Sequence, residues 1–158
     1  MAPHTSKWDA VIGKLALLSL GVRAKLFAWH EYFFFPLSIG MKILGAHPVG
    51  GKGHNAIFDA INFINANENL HVVICPEGQL KETEKWNPGF MLMAQKTNVP
   101  VVVTYLDYKK KEAGFKTVLT DFSDKDAVIK ILAECYDGVT ARHPEKFLLP
   151  KYAAKADE

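Results

Sequence analysis

The chain reads as an α/β domain built on a mixed, largely parallel sheet with helices on both faces. Three observations predict this. Segments with apolar residues at helical spacing alternate with short apolar or β-branched runs along the chain. The run at 70–75, LHVVIC, is continuously apolar after its first histidine, as a strand buried on both faces would be. Finally, 49% of the 158 residues are hydrophobic, enough to close one core and too few residues for a second full domain.

The elements follow in order. Ser6 suits the N-cap of a helix of about fourteen residues, with Trp8, Val11, Ile12, Leu15 and Leu18 on one apolar stripe and Gly21 at its end. Residues 22–29 read as a strand, and Pro36 sits where a proline opens a helix, here to residue 44. Gly50, Gly51 and Gly53 make a loop. Ile57, Ile61 and Ile64 mark a helix over 54–65, followed by the strand at 70–75. Pro88 opens a helix to residue 96, and 99–105 is a second β-rich run. Residues 114–122 form a further strand, and Ser123 with Asp126 resembles a capping box for a helix to residue 135. The domain therefore spans 1–150, and KYAAKADE at 151–158 is a loose tail.

Composition excludes several classes. A formal charge of +2 gives no electrostatic case for nucleic acid as a partner, while leaving a mild attraction to anionic lipid. Cys75 and Cys135 lack C-x-x-C spacing, so neither a disulfide framework nor a zinc site is expected, and no metal or cofactor is assigned. The apolar stretch at 32–41 stops at Lys42, short of the roughly 18 to 20 residues of a spanning helix. The N-terminus has no signal-peptide pattern, which predicts a cytoplasmic protein.

The chemistry concentrates in a few short segments. His4 and Asp9 stand five positions apart at a loop-to-helix junction, where a carboxylate can hold and polarise an imidazole that acts as a general base. Composition yields on the order of 0.3 such pairs by chance, and the chain has two. The second, His54 with Asp59, lies in an amphipathic stretch and reads as a helix start with a surface carboxylate. The glycine-rich HPVGGKGH at 47–54 lacks the phosphate-loop glycine at Ala46 and the hydroxyl residue at Gly53, so nucleotide binding is not supported.

Four ordered blocks, PHTSKWD at 3–9, GAHPV at 45–49, CPEG at 75–78 and VPVVV at 99–103, together with KWNPGF at 85–90, resemble the glycerolipid acyltransferases of the lysophosphatidic acid acyltransferase family. The resemblance covers residues 3–110. It implies transfer of a fatty acyl group from acyl-coenzyme A or acyl carrier protein to a lysolipid hydroxyl, with 1-acylglycerol-3-phosphate as the leading acceptor, in phospholipid biosynthesis. It makes His4 the base and Asp9 its partner, and gives the Glu77–Gly78 turn and Gln79 to the acceptor. It also implies peripheral contact with the cytoplasmic membrane face, for which Trp29, Tyr32 and 33–35 supply apolar rings.

Two departures from the family pattern bear on the substrate. The arginines that grip the acceptor phosphate are replaced by Gly51 and by Gln79 with Leu80, leaving Lys52, Lys81 and Lys85 as the nearby cations. An acceptor without a phosphomonoester, such as a lyso-aminolipid, and an inactive lipid or acyl-chain binder are therefore the alternatives. Only Met1, Ala2 and Pro3 precede His4, where related chains place a buried first strand. That strand is expected to be missing, with Met1 an internal or misassigned start or the chain a trimmed form, and with His4 on a mobile terminus.

Overall fold

The computed structural model describes residues 1–51 and 55–151. Ser6 opens α1 (Lys7–Ser19) through a capping box, its side chain accepting from Trp8 N–H while the Asp9 carboxylate accepts from Ser6 N–H. Next come β1 (Ala24–Trp29), a single 3-10 turn at His30–Tyr32, α2 (Leu37–Ile43) and β2 (Ala46–Val49). α3 (Ala56–Asn65), β3 (His71–Val73) and α4 (Gly89–Thr97) follow. β4 (Val101–Asp107), β5 (Glu112–Leu119) and α5 (Lys125–Tyr136) lead into a C-terminal arm with a short 3-10 turn at Pro144–Lys146.

The architecture is mixed α/β, a small parallel sheet flanked by helices. β1 is central and pairs in parallel with β2 on one side and β3 on the other, while β4 and β5 form an antiparallel pair. The first residues lie between these two pieces. Met1 donates from its amino terminus to Ile74 O at 2.8 Å, and Ala2 N–H donates to Thr104 O at 3.3 Å in a parallel bridge to Tyr105. Ala2 is 0% exposed and Pro3 is fully buried. Residues 1–3 thus occupy the place of a strand between β3 and β4.

That placement corrects the expectation of a loosely held His4. Main-chain bonds to both neighbours fix the segment, and burial of Ala2 and Pro3 leaves it no solvent in which to move.

Other expectations shift as well. The apolar stripe of α1 faces outward, with Trp8, Ile12, Leu15 and Leu18 exposed, and the buried face carries Asp9 and Gly13. Small size decides this. A Cβ on Gly13 would stand 2.6 Å from Met1 Sδ and 3.8 Å from Leu106 Cδ1, so the helix approaches the sheet through a residue without a side chain. β2 was not expected. It carries Pro48, which an edge strand tolerates because that edge needs no donor. The cap of α5 is Asp124, whose side chain accepts from the Asp126 and Ala127 amides, rather than Ser123. The tail beyond Lys151 lies outside the described residues.

The core sits between α4, the β4–β5 pair and α5. Phe90, Met91 and Met93 meet Val103, Leu119, Ile129 and Leu132 there. Trp86 closes it from the loop before α4, its ring centroid 5.5 Å from Tyr136, and its Nε1–H donates to Leu148 O at 3.2 Å. The arm is thereby tied across the molecule to the loop that follows β3.

Candidate active site

Three chain segments converge at the carboxyl ends of the strands. His4 follows the buried residues 1–3, Glu77 lies just past β3, and Tyr108 directly follows β4. The carboxyl edge is where open α/β sheets place their reactive groups.

Asp9 is the centre of the arrangement. It is 0% exposed, and four groups face its carboxylate. Oδ2 accepts from Thr5 N–H at 2.7 Å and Ser6 N–H at 2.8 Å, and it lies 3.6 Å from His4 Nδ1. Oδ1 accepts from Tyr108 O–H at 2.5 Å. Burial alone would raise its pKa, yet His4, Tyr108 and the amides of Ser6 and Thr5 together hold it below the ordinary value of 3.8. Asp9 is therefore a permanent charge at neutral pH.

That charge sets the state of His4. Burial disfavours the imidazolium, but the Asp9 carboxylate 3.6 Å from Nδ1, then nearby Cys75 and the negative charge of Glu77, override it and raise the pKa from 6.5 to about 10. The 3.6 Å separation from Asp9 is an ion-pair distance, longer than a hydrogen bond. Nδ1 is buried and makes no hydrogen bond among the described residues. A small rotation of the ring would close it onto Oδ2, and such contacts often tighten only when substrate is bound.

Glu77 is held inward. It is 8% exposed, and its Oε1 accepts from His4 N–H at 2.7 Å, so the residue after the sheet fixes the main chain of the histidine. Its Oε2 is buried and without a hydrogen-bond partner among the described residues. Burial raises its pKa above the ordinary 4.5, against opposition from main-chain donors and from the charges of Met1 and His4. The carboxylate is packed inside the protein rather than solvated at a surface turn. Gly78 supplies the tight turn at φ +70°, its N–H donating to Cys75 O at 3.1 Å.

The remaining expected residues divide. Gln79 and Lys85 are exposed on the loop between β3 and α4, as is Lys81. Lys52 and His54 lie outside the described residues. Asp59, expected as a surface carboxylate, instead accepts from Gly50 N–H at 3.0 Å and so pins the glycine turn.

Sequence reasoning missed two contributors. Tyr108, raised to about 12 by burial and then by its bond to Asp9, stays a phenol and a fixed donor. The C-terminal arm is the other. Thr140 O accepts from Tyr108 N–H at 2.9 Å, and His143 N–H donates to Thr5 Oγ1 at 3.2 Å, so the arm crosses the site next to His4. Contacts that span the whole chain leave no local pattern. A tyrosine directly after a β-rich run was the available signal for Tyr108.

A concavity of about 540 Å³ is lined by Ile64, Asn65, Leu70, Thr97 and Val99 at the opposite, amino edge of the parallel sheet, away from this chemistry. Among the described residues, no group of three or more His, Cys, Asp or Glu is arranged to hold a metal ion, and no helix is long and apolar enough to cross a membrane. Comparison with family models, curated proteins and solved structures finds no match to this chain.

Proposed function

We propose that the chain is an acyltransferase that moves a fatty acyl group from an acyl thioester, coenzyme A or acyl carrier protein, to the hydroxyl of a lysolipid, with 1-acylglycerol-3-phosphate as acceptor. One observation carries the reading. A fully buried carboxylate, Asp9, is aimed at His4 by two main-chain amides and a tyrosine hydroxyl, an arrangement that orients and charges an imidazole.

In this mechanism neutral His4 takes the proton from the acceptor hydroxyl as its oxygen attacks the thioester carbonyl. The tetrahedral adduct collapses, the carbon–sulfur bond breaks, and the imidazolium returns the proton to the departing thiolate. Asp9 stabilises the imidazolium between the two steps, and Glu77 keeps the His4 main chain in place. A positioned base of this kind contributes roughly a hundred- to ten-thousand-fold.

Exposed apolar side chains support a lipid-facing protein. Phe35 is 81% exposed and Ile43 80%, and Trp29, Phe34 and Ile39 also lie open on the same stretch of chain around α2. Such a surface suits peripheral contact with a bilayer.

The raised pKa of His4 favours a second reading, a lipid-binding protein that does not turn over, because a base must be neutral to act. Mass spectrometry separates the two. Incubation with a long-chain acyl-coenzyme A and lysophosphatidate should yield phosphatidate, and bound but unconverted lysolipid would favour the binder.

A further inference from the structure

We propose that Arg142, on the C-terminal arm, binds the phosphomonoester of the lysolipid acceptor; this rests on the acyltransferase reading and names the group that recognises its substrate. The chain holds two arginines, Arg23 and Arg142. Arg23 directly precedes β1, at the amino edge of the parallel sheet and away from His4. Arg142 is bracketed by the two bonds that lay the arm over the site, Thr140 O to Tyr108 N–H at 2.9 Å and His143 N–H to Thr5 Oγ1 at 3.2 Å. It therefore sits one residue from a contact to the neighbour of His4.

The guanidinium is pre-positioned rather than neutralised. Its carbon lies 5.8 Å from the Trp8 ring and 5.9 Å from the Tyr108 ring, so two aromatic side chains hold it on the side chain that also donates to Asp9. Arg142 is exposed, and among the described residues no carboxylate pairs with it. Neighbouring Ala141 is 3% exposed, which anchors the main chain beneath it. The guanidinium also faces the Tyr108 hydroxyl, which it pulls toward a lower pKa, and its remaining N–H groups match a phosphomonoester through two parallel hydrogen bonds, which an ammonium group cannot reproduce. The loss of arginine at Gly51 and at Gln79–Leu80 is then offset by an arginine delivered from the other end of the chain.

Arg142→Gln and Arg142→Lys test this. With lysophosphatidate the acceptor KM should rise at least about tenfold in Arg142→Gln and less in Arg142→Lys, with the donor KM unmoved, and the preference for lysophosphatidate over monoacylglycerol should collapse. A rise in donor KM in place of acceptor KM would assign the arginine to coenzyme A phosphates and overturn the proposal, as would an unchanged acceptor preference. Calorimetric titration with short-chain lysophosphatidate gives a readout independent of turnover. Wild-type binding that weakens at least about tenfold in Arg142→Gln supports Arg142 even where no acyl transfer occurs, so failure of the catalytic reading stays distinguishable. Equal affinity in both proteins, or no binding in either, overturns it.

Discussion

Replacing Tyr108 with Phe keeps the ring and deletes one hydroxyl, so the perturbation falls first on its bond to Asp9 and secondarily on its contact with Arg142. That hydroxyl donates to Asp9 Oδ1 at 2.5 Å, while the Thr5 and Ser6 amides serve Oδ2, so among the described residues Oδ1 loses its donor. Asp9 is 0% exposed and water does not reach it. A hydrogen bond to a charged group contributes about 1.5–3 kcal/mol, and an uncompensated buried oxygen places the loss in the upper half, about 2–3 kcal/mol. For a domain of this size that lowers the thermal midpoint by roughly 5–10 °C. The bond also helps hold the Asp9 pKa below 3.8. Stability from a depressed carboxylate is present above its unfolded pKa and is lost as pH falls through the folded one, so in Tyr108→Phe this acid loss begins at higher pH. Circular-dichroism melts of both proteins from neutral to acid pH read both effects. A midpoint within about 1 °C of wild type at neutral pH refutes the wiring of the site.

Three further outcomes follow from the same geometry. The folded pKa of His4 is about 10 against 6.5, so its contribution to stability is complete below 6.5 and is lost as pH rises through about 10; denaturant titrations should show a steeper alkaline fall in wild type than in His4→Ala. Glu77→Ala removes the acceptor for His4 N–H at 2.7 Å and should cost about 1–3 kcal/mol, whereas Glu77→Gln keeps an acceptor oxygen and should cost less, a ranking that unfolding measurements check. Ile39 and Ile43 are 53% and 80% exposed, so Ile39→Asp with Ile43→Asp should leave the melting temperature near wild type while reducing flotation with anionic vesicles; undiminished flotation moves lipid contact elsewhere.

Local signals carried the element order well. Ser6 and Gly21 bounded the first helix, Pro36 and Pro88 stood at the starts of α2 and α4, and the apolar runs after residues 70 and 99 became β3 and β4. β2 escaped because its four residues include a proline between glycine-rich flanks, and its strand character comes only from pairing with β1, Leu26 opposite Ala46. The orientation of α1 escaped because periodicity finds an apolar face without saying which face meets the sheet. There Gly13 and Asp9 win by size and by hydrogen bonding.

The candidate site was legible in the same proportion. The His4–Asp9 pair announced itself through spacing and the Glu77 turn through the resemblance of its block, and they do meet in space. Tyr108 and Arg142 did not, since their neighbours lie 99 residues away at Asp9, for Tyr108, and across the arm anchored at Thr5, for Arg142. The balance of charge at His4 was also beyond sequence. The helix terminus favours neutral imidazole, and only the buried distances decide that the carboxylate side prevails.

The most direct test of the account is acceptor-dependent thiol release from a long-chain acyl-coenzyme A, followed across neutral and alkaline pH in wild type and in a folded His4→Ala variant. The account predicts release that requires lysolipid, climbs with pH toward about 10 as His4 loses its proton, and falls at least about a hundredfold in the variant. Release at the wild-type rate in His4→Ala, or none from wild type with any lysolipid acceptor, would contradict it.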